Sequence, residues 1–339
     1  MESFLTENLS EEERTKFSEK CTAAVDFIIK NLPEGKDGGE GHRIAIVTSG
    51  GTTVPLEQRA VRSIVNFSSG GRGAAVTEAL LAQGYSVILL SRAGSLQPYT
   101  RGFEQKKLSV LDMVDDEGNL KAEVKEKVVK LRRIRSEVQP RLSIVHFDTV
   151  VEYLFCVKIA CTQLMKHAVV RLATGKPQDR LLPVEILAAA VSDYYIPRSK
   201  MSAHKISGGD GLDLRLENVP KGLGVVASVW AKLPPAKEGA DLSPTELISS
   251  MFVVSFKLET DVTILEKKAT TNLTKYQGMH CVVANLLHNY KREVRLFTKD
   301  SKEPKIITCE EGEDIEPALV QSIAQAQTQF LKEKASQAS

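Results

Sequence analysis

With 339 residues, 45 basic against 43 acidic side chains and a formal net charge of +2, the chain can bury a full core and is too evenly charged to grip nucleic acid or a membrane surface through a clustered positive field. Five cysteines, Cys21, Cys156, Cys161, Cys281 and Cys309, are odd in number and contain no Cys-x-x-Cys pair, and the six histidines lack metal-ligand spacing, so neither a disulfide framework nor a structural zinc is predicted. No apolar run reaches the roughly 18 residues of a transmembrane helix, and the acidic start from Met1 to Glu13 is unlike a secretory signal, so a cytoplasmic protein with free thiols is expected.

Ser10 followed by Glu13 forms a capping-box pattern, and Phe17, Cys21, Ala24, Val25, Ile28, Ile29 and Leu32 recur at helical spacing. This first helix is expected to pack over a sheet, and it runs into a Gly- and charge-rich linker from Pro33 to Gly41. An apolar strand at Ile44–Val47 then opens into Gly50-Gly51-Thr52. Next comes Asn66-Phe67-Ser68-Ser69-Gly70-Gly71-Arg72-Gly73 and a predicted helix from Gly70 to Gln83, capped by Ser68 or Ser69 and stopped by Gly84. With a buried strand at Val87–Leu90 this makes a βαβ unit. Two small-residue loops in one such unit suggest a phosphate site, because glycines let the backbone approach an anion and amides at a helix start attract negative charge.

Farther along, Lys121–Val138 reads as an exposed amphipathic helix whose Arg132, Arg133 and Arg135 form a solvated face. Leu142–Phe147 reads as a strand, Asp148 as a cap, and Val151–Val170 as a mostly apolar helix. The run Pro183–Val191, apolar apart from Glu185, has the signature of a central parallel strand and delivers Ser192 and Asp193 at its carboxyl end, where open α/β sheets bind ligands. Leu212, Leu214 and Leu216 alternate with charged residues as in a half-exposed strand. A short helix is expected at Gly222–Trp230 and a surface loop at Pro234–Pro244. Met251–Phe256, Cys281–Ala284 and Val294–Phe297 are further strands; Asp261 caps a helix to about Tyr276, and a last helix follows Asp314. The alternation predicts an α/β fold: a doubly wound, Rossmann-like, mostly parallel sheet with helices on both faces.

A nicotinamide-dinucleotide site would need Gly-x-Gly-x-x-Gly opening directly into a helix, and Gly50-Gly51-Thr52-Thr53-Val54-Pro55 does not provide it. That leaves an NAD(P)-dependent oxidoreductase as the runner-up, to be recognised by NADH binding. A Walker-type loop is absent too.

Taken in order, Thr48-Ser49-Gly50-Gly51-Thr52, Arg62 four before Asn66-Phe67-Ser68-Ser69-Gly70, Leu187 to Tyr194, His204-Lys205-Ile206, Val219-Pro220-Lys221, Ser255 to Thr260 and Val283-Ala284-Asn285 closely resemble the phosphopantothenate–cysteine ligase family in its eukaryotic form. The resemblance implies a coenzyme A biosynthesis ligase. In such an enzyme the carboxylate of 4'-phosphopantothenate attacks the α-phosphate of ATP and releases pyrophosphate, and the amine of L-cysteine then displaces AMP from the acyl-adenylate to form an amide. CTP, the nucleotide of bacterial members, is the other candidate co-substrate. Mg²⁺ is implied on the triphosphate oxygens, with no dedicated protein ligands. A homodimer is implied as well, with the site completed across its two-fold interface. A homologue that has lost catalysis and serves as a regulatory subunit is the remaining alternative; Asn66, Asp193 and Lys205, all present, speak against it.

By the same resemblance Asn66 meets the acyl-phosphate region, although Asn beside Ser and Gly is also a common turn residue. Gly50, Gly51, Thr52, Ser68, Ser69, Gly70 and Gly73 cradle phosphates, while Ala189 and Ala190 let the nucleotide lie against the backbone. Asp193 accepts from ribose hydroxyls or an incoming ammonium. Lys205 neutralises the triphosphate, with Lys221 a second candidate, and the glycines after Lys205 suggest a lid. Phe256 flanks the base. Arg62 either grips the phosphate of phosphopantothenate or forms a surface salt bridge, the two readings standing level. The implied organisation is an N-terminal helix and linker over residues 1–41 and a single α/β nucleotide-binding ligase domain over 42–339.

Overall fold

The structure, a computed structural model, describes residues 1–34, 41–106, 109–172, 176–208, 211–221, 251–276, 278–299, 301 and 303–338. Two helices come first, α1 (Glu2–Asn8) and α2 (Glu11–Lys30). The strand β1 (His42–Ser49) is followed by a small hairpin, β2 (Thr53–Pro55) with β3 (Ser63–Val65), and then by α3 (Gly71–Ala82) and β4 (Ser86–Arg92). Next come α4 (Arg101–Glu104), α5 (Ala122–Val138), β5 (Leu142–Phe147), α6 (Val150–Leu172) and β6 (Leu181–Leu187). A second small sheet pairs β7 (Tyr194–Tyr195) with β8 (Glu217–Asn218). The chain finishes with β9 (Phe252–Glu259), α7 (Val262–Lys275), β10 (Cys281–Leu286), β11 (Glu293–Thr298), β12 (Lys305–Thr308) and α8 (Glu316–Ala338).

The main sheet has eight strands in the order β12-β11-β10-β9-β6-β1-β4-β5. From β5 to β10 all neighbours run parallel, and β11 and β12 add an antiparallel edge. From β1 the chain winds outward through β4 to β5. It then restarts at β6 on the other side of β1 and winds the opposite way, so the order reverses between β1 and β6. That reversal opens a crevice at the carboxyl ends of those two strands. Strand β1 is covered on both faces: Ile44 and Ile46 join a core formed with α1, α2, α6 and α7, while Ala45 and Val47 join one formed with α3 and α8, all four fully buried. A strand sandwiched in this way needs apolar residues at every position, hence the unbroken run in the sequence.

Helix α2 starts with the predicted capping box: the Glu13 N–H donates to Ser10 Oγ (3.2 Å) and the Ser10 N–H to Glu13 Oε2 (2.7 Å). Its buried stripe of Phe17, Cys21, Ala24, Val25 and Ile28 packs into the core with α6, each large apolar side chain contributing on the order of 1.5–3 kcal/mol.

Several expectations need correction. The cap of α3 is Gly70, in the left-handed region at φ 80°, and not Ser68 or Ser69. The cap of α6 is Thr149, whose Oγ1 accepts from the Glu152 N–H (3.2 Å) while Glu152 Oε2 accepts from the amides of Thr149 (3.2 Å) and Asp148 (2.7 Å). Asp148 instead pairs with Arg92 at 3.1 Å. The strand expected over Pro183–Val191 stops at Leu187, since the chain beyond it crosses to the loop after β1 instead of staying in the ladder. No strand runs through Leu212, Leu214 and Leu216; among the described residues the pairing that follows them is the two-residue β8. The expected helix at Gly222–Trp230 and loop at Pro234–Pro244 lie outside the described residues, as do Gly209 and Asp210 of the glycine segment after Lys205. Helix α1, the β2–β3 hairpin and β12 have too few residues for periodicity to announce them.

Candidate active site at the carboxyl edge

The first loop, Gly50 to Thr52, is stitched to the segment that leaves β6. The Ala190 N–H donates to the Gly50 carbonyl (2.8 Å) and the Thr52 N–H to the Ala190 carbonyl (3.0 Å). The Ala189 N–H donates to Thr48 Oγ1 (3.1 Å) and the Ser192 N–H to Thr52 Oγ1 (3.0 Å). Predicted residues from two distant parts of the sequence are thereby fixed side by side at the switch point. Asn66 joins them through its N–H, which donates to the Thr52 carbonyl (3.1 Å). The approach is so close that a Cβ on Gly51 would lie 1.7 Å from the Asn66 carbonyl oxygen.

The second loop sits over the start of α3. Ser49 Oγ donates to the Gly70 carbonyl (3.0 Å), and the Leu96 N–H donates to the Ser69 carbonyl (2.9 Å). Ser68 Oγ accepts from the Gly70 amide (3.3 Å) and Ser69 Oγ from the Gly71 amide (3.4 Å), so the serines bind the turn although they do not cap the helix. Gly73 brings α3 against β1, a Cβ there meeting Ser49 at 2.4 Å. The N-terminal amides of a helix have no intrahelical acceptors and carry the positive end of its dipole, so this arrangement receives an anion.

Two groups of charges flank the cradle. Asp193 pairs with Lys221 Nζ at 2.6 Å, both side chains exposed, and the Val219 N–H donates to the Asp193 carbonyl (2.9 Å) beside the β7–β8 pair. Burial lowers the Lys257 ammonium below its ordinary value, and the charge of Lys221 lowers it further. The second group centres on Arg62, which ion-pairs with Glu57 (3.1 Å) and donates from the same Nη1 to the Ile206 carbonyl (2.9 Å). Lys205, next to Ile206, is exposed. Phe256 is half-buried on the α3 and α8 side of β9 and packs against that core.

Two residues without an assigned role stand out in the geometry. Asn285, at the carboxyl end of β10, donates from Nδ2 to the Lys257 carbonyl (3.1 Å), while its buried Oδ1 has no partner among the described residues; a buried acceptor left open at a ligand-binding edge suits a ligand donor. Glu57 is fully buried. Burial alone would raise its carboxyl, but the amides of Arg62, Val61 and Ile206 together with the Arg62 guanidinium hold it below the ordinary value. Its setting in the sequence, Leu56-Glu57-Gln58-Arg59 between two short strands, reads as an ordinary solvated turn and does not single it out.

Comparison with known proteins fixes the family. The profile described as "DNA/pantothenate metabolism flavoprotein C-terminal domain" matches residues 40–128. Phosphopantothenate–cysteine ligase 1 of Oryza sativa subsp. japonica is 41% identical over 314 residues, covering 90% of this chain and 87% of that protein. The chain belongs to the phosphopantothenate–cysteine ligase family. The Homo sapiens ligase of this family is 36% identical, with 88% of this chain and 90% of that protein covered. Among solved structures, a Cab2 point mutant in complex with phosphopantothenate-cysteine superposes with a TM-score of 0.78 at 29% identity, covering 99% of this chain and all of that one. The chain is thus an enzyme of a ligase family on an α/β fold with a mostly parallel sheet. Among the described residues, no helix is long and apolar enough to cross a membrane.

Proposed function

We propose that this protein condenses 4'-phosphopantothenate with L-cysteine in coenzyme A biosynthesis, at the expense of ATP and in the cytoplasm. The observation that carries the reading is the seating of Asn66 against the Gly50–Thr52 loop, beside the start of α3. In the first step the substrate carboxylate oxygen bonds to the α-phosphorus as the bond to pyrophosphate breaks. In the second the cysteine ammonium first loses a proton to solvent, the freed nitrogen bonds to the acyl carbon as the bond to AMP breaks, and a second nitrogen proton leaves as the amide forms. Negative charge builds on oxygens in both steps, so positioned donors and cations do the catalysis and no protein nucleophile is needed.

In this reading the glycine and serine loops and the α3 amides cradle the triphosphate, with Lys205 and Lys221 supplying cations. Asn66 donates to the acyl-phosphate oxygens, and Ala189 and Ala190 lie under the nucleotide. Phe256 and Asn285 face the base or ribose, and Asp193 takes a ribose hydroxyl or the cysteine ammonium. Arg62 grips the phosphate of phosphopantothenate. Mg²⁺, in this reading, is carried in on the triphosphate oxygens. In the N-terminal segment, 1–41, helices α1 and α2 serve as packing elements on a single ligase domain, 42–339. A homodimer is supported by the β2–β3 hairpin, whose surroundings expose Val61, Ile64, Val65 and Phe67, the last 94% accessible.

Incubating the purified protein with phosphopantothenate, cysteine and either ATP or CTP tests the reading. The expected result is one nucleoside monophosphate and one pyrophosphate per amide formed, with ATP preferred. Release of ADP and phosphate instead, or no amide with either nucleotide, overturns it.

A further inference from the structure

Glu57 is a buried carboxylate with an unusual set of partners. Its Oε2 accepts from the amides of Val61 (3.2 Å) and Arg62 (3.1 Å); its Oε1 accepts from Arg62 Nη1 (3.1 Å) and from the Ile206 amide (3.3 Å). Arg62 Nη1 also donates to the Ile206 carbonyl (2.9 Å). The loop is closed further by the Leu56 N–H on the Arg62 carbonyl (3.0 Å) and tied to the later segment by the Gln58 N–H on the Ser202 carbonyl (2.9 Å). One carboxylate therefore joins two stretches about 150 residues apart in sequence, one bearing Arg62 and the other Lys205. Among the described residues Arg62 Nε and Nη2 make no hydrogen bond, and the side chain is 40% exposed. Among the described residues the guanidinium is held through Nη1, and its Nε–Nη2 edge is the one suited to bidentate pairing with an oxyanion.

We propose that Glu57 is a positioning residue that aims Arg62 at the phosphate of the acid substrate. The proposal rests on the ligase reading, since it takes Arg62 as the phosphate contact. A neutral amide at position 57 turns an NH₂ group toward donors on one side or the other, so the guanidinium loses its fixed direction. Charge-assisted hydrogen bonds of this kind carry effects of roughly tenfold or more in affinity.

The test is a double-mutant cycle with Glu57→Gln, Arg62→Ala and the pair, reading KM and kcat for phosphopantothenate at saturating ATP and cysteine. Glu57→Gln is expected to raise KM for phosphopantothenate about tenfold, and to add almost nothing once Arg62 is alanine. Additive effects, or an unchanged KM in Glu57→Gln, overturn the proposal, because a merely structural role would persist without Arg62. If Glu57→Gln does not fold, Glu57→Asp, one methylene short of the guanidinium, runs the same cycle under the same criterion. Wild-type protein that releases no pyrophosphate sinks the ligase reading itself; active wild type with additive variants sinks only the role of Glu57.

Discussion

Gly51 has no room for a side chain, because the Asn66 carbonyl occupies the place where its Cβ would be. Gly51→Ala must push the Asn66 loop away from the strand end, and a displacement near 1 Å at a reacting centre costs on the order of 100-fold in rate. The expected outcome is a folded protein whose pyrophosphate release falls by about that factor; near-normal release would separate the loop from the chemistry. Asn66→Ala removes a single donor and should lower kcat by roughly 10²–10³ with the fold intact. Its circular dichroism and melting point should match wild type, and normal acyl-nucleotide formation would return Asn66 to the status of a turn residue. The sequence showed the glycines and the asparagine as separate motifs; their contact, 15 residues apart, came only from the hairpin folding back.

Helix α8 shows how an element is held by polar groups as well as by its apolar stripe. Tyr85 Oη, in a side chain only 1% exposed, donates to Gln327 Oε1 (2.7 Å) and accepts from Arg43 Nη1 (3.1 Å), while Gln327 Nε2 donates to the Leu182 carbonyl (3.2 Å). This network clamps α8 to β1, β4 and β6. Tyr85→Phe keeps the shape but strands a buried acceptor, so a loss of about 1–3 kcal/mol in urea unfolding is expected; a change within error would mean that water replaces the hydroxyl. Helical periodicity made α2 and α5 legible in the sequence, and apolar character and a capping position marked α6 and α8. Leu212, Leu214 and Leu216 alternate like a strand yet have no neighbouring ladder, and alternation cannot supply a partner.

At the scale of the whole molecule, a buried carboxyl and a half-buried imidazole oppose each other in pH. Burial pushes the Glu185 carboxyl up to about 8; among the described residues Oε1 receives the Cys161 thiol (3.5 Å) and the buried Oε2 has no partner. Burial, aided by Lys299 and Lys334, takes His280 down to about 4. Between pH 4.5 and about 8 the unfolded chain has released the Glu185 proton that the fold keeps, so stability falls as pH rises. Between 6.5 and about 4 the unfolded chain binds a proton that His280 refuses in the fold, so stability falls as pH drops. Glu185→Gln should remove the alkaline loss alone. Denaturant melts at pH 5 and 8 should show wild type losing ground to the variant by up to about 1.4 kcal/mol per pH unit; parallel curves would mean that Glu185 is ionised in the fold.

The sequence by itself determined the alternation of strands and helices, the covered central strands and the ligase family, because apolar period and glycine-serine spacing are local properties and the motifs stand in order along the chain. Tertiary structure decided what those motifs do to one another: where the strand order reverses, that Gly51 and Ala190 meet there, and that Asp193 faces Lys221. It also showed that Arg62 shares a buried carboxylate with the Lys205 segment. These are contacts between residues far apart in the chain, set by packing and burial rather than by any neighbour in sequence.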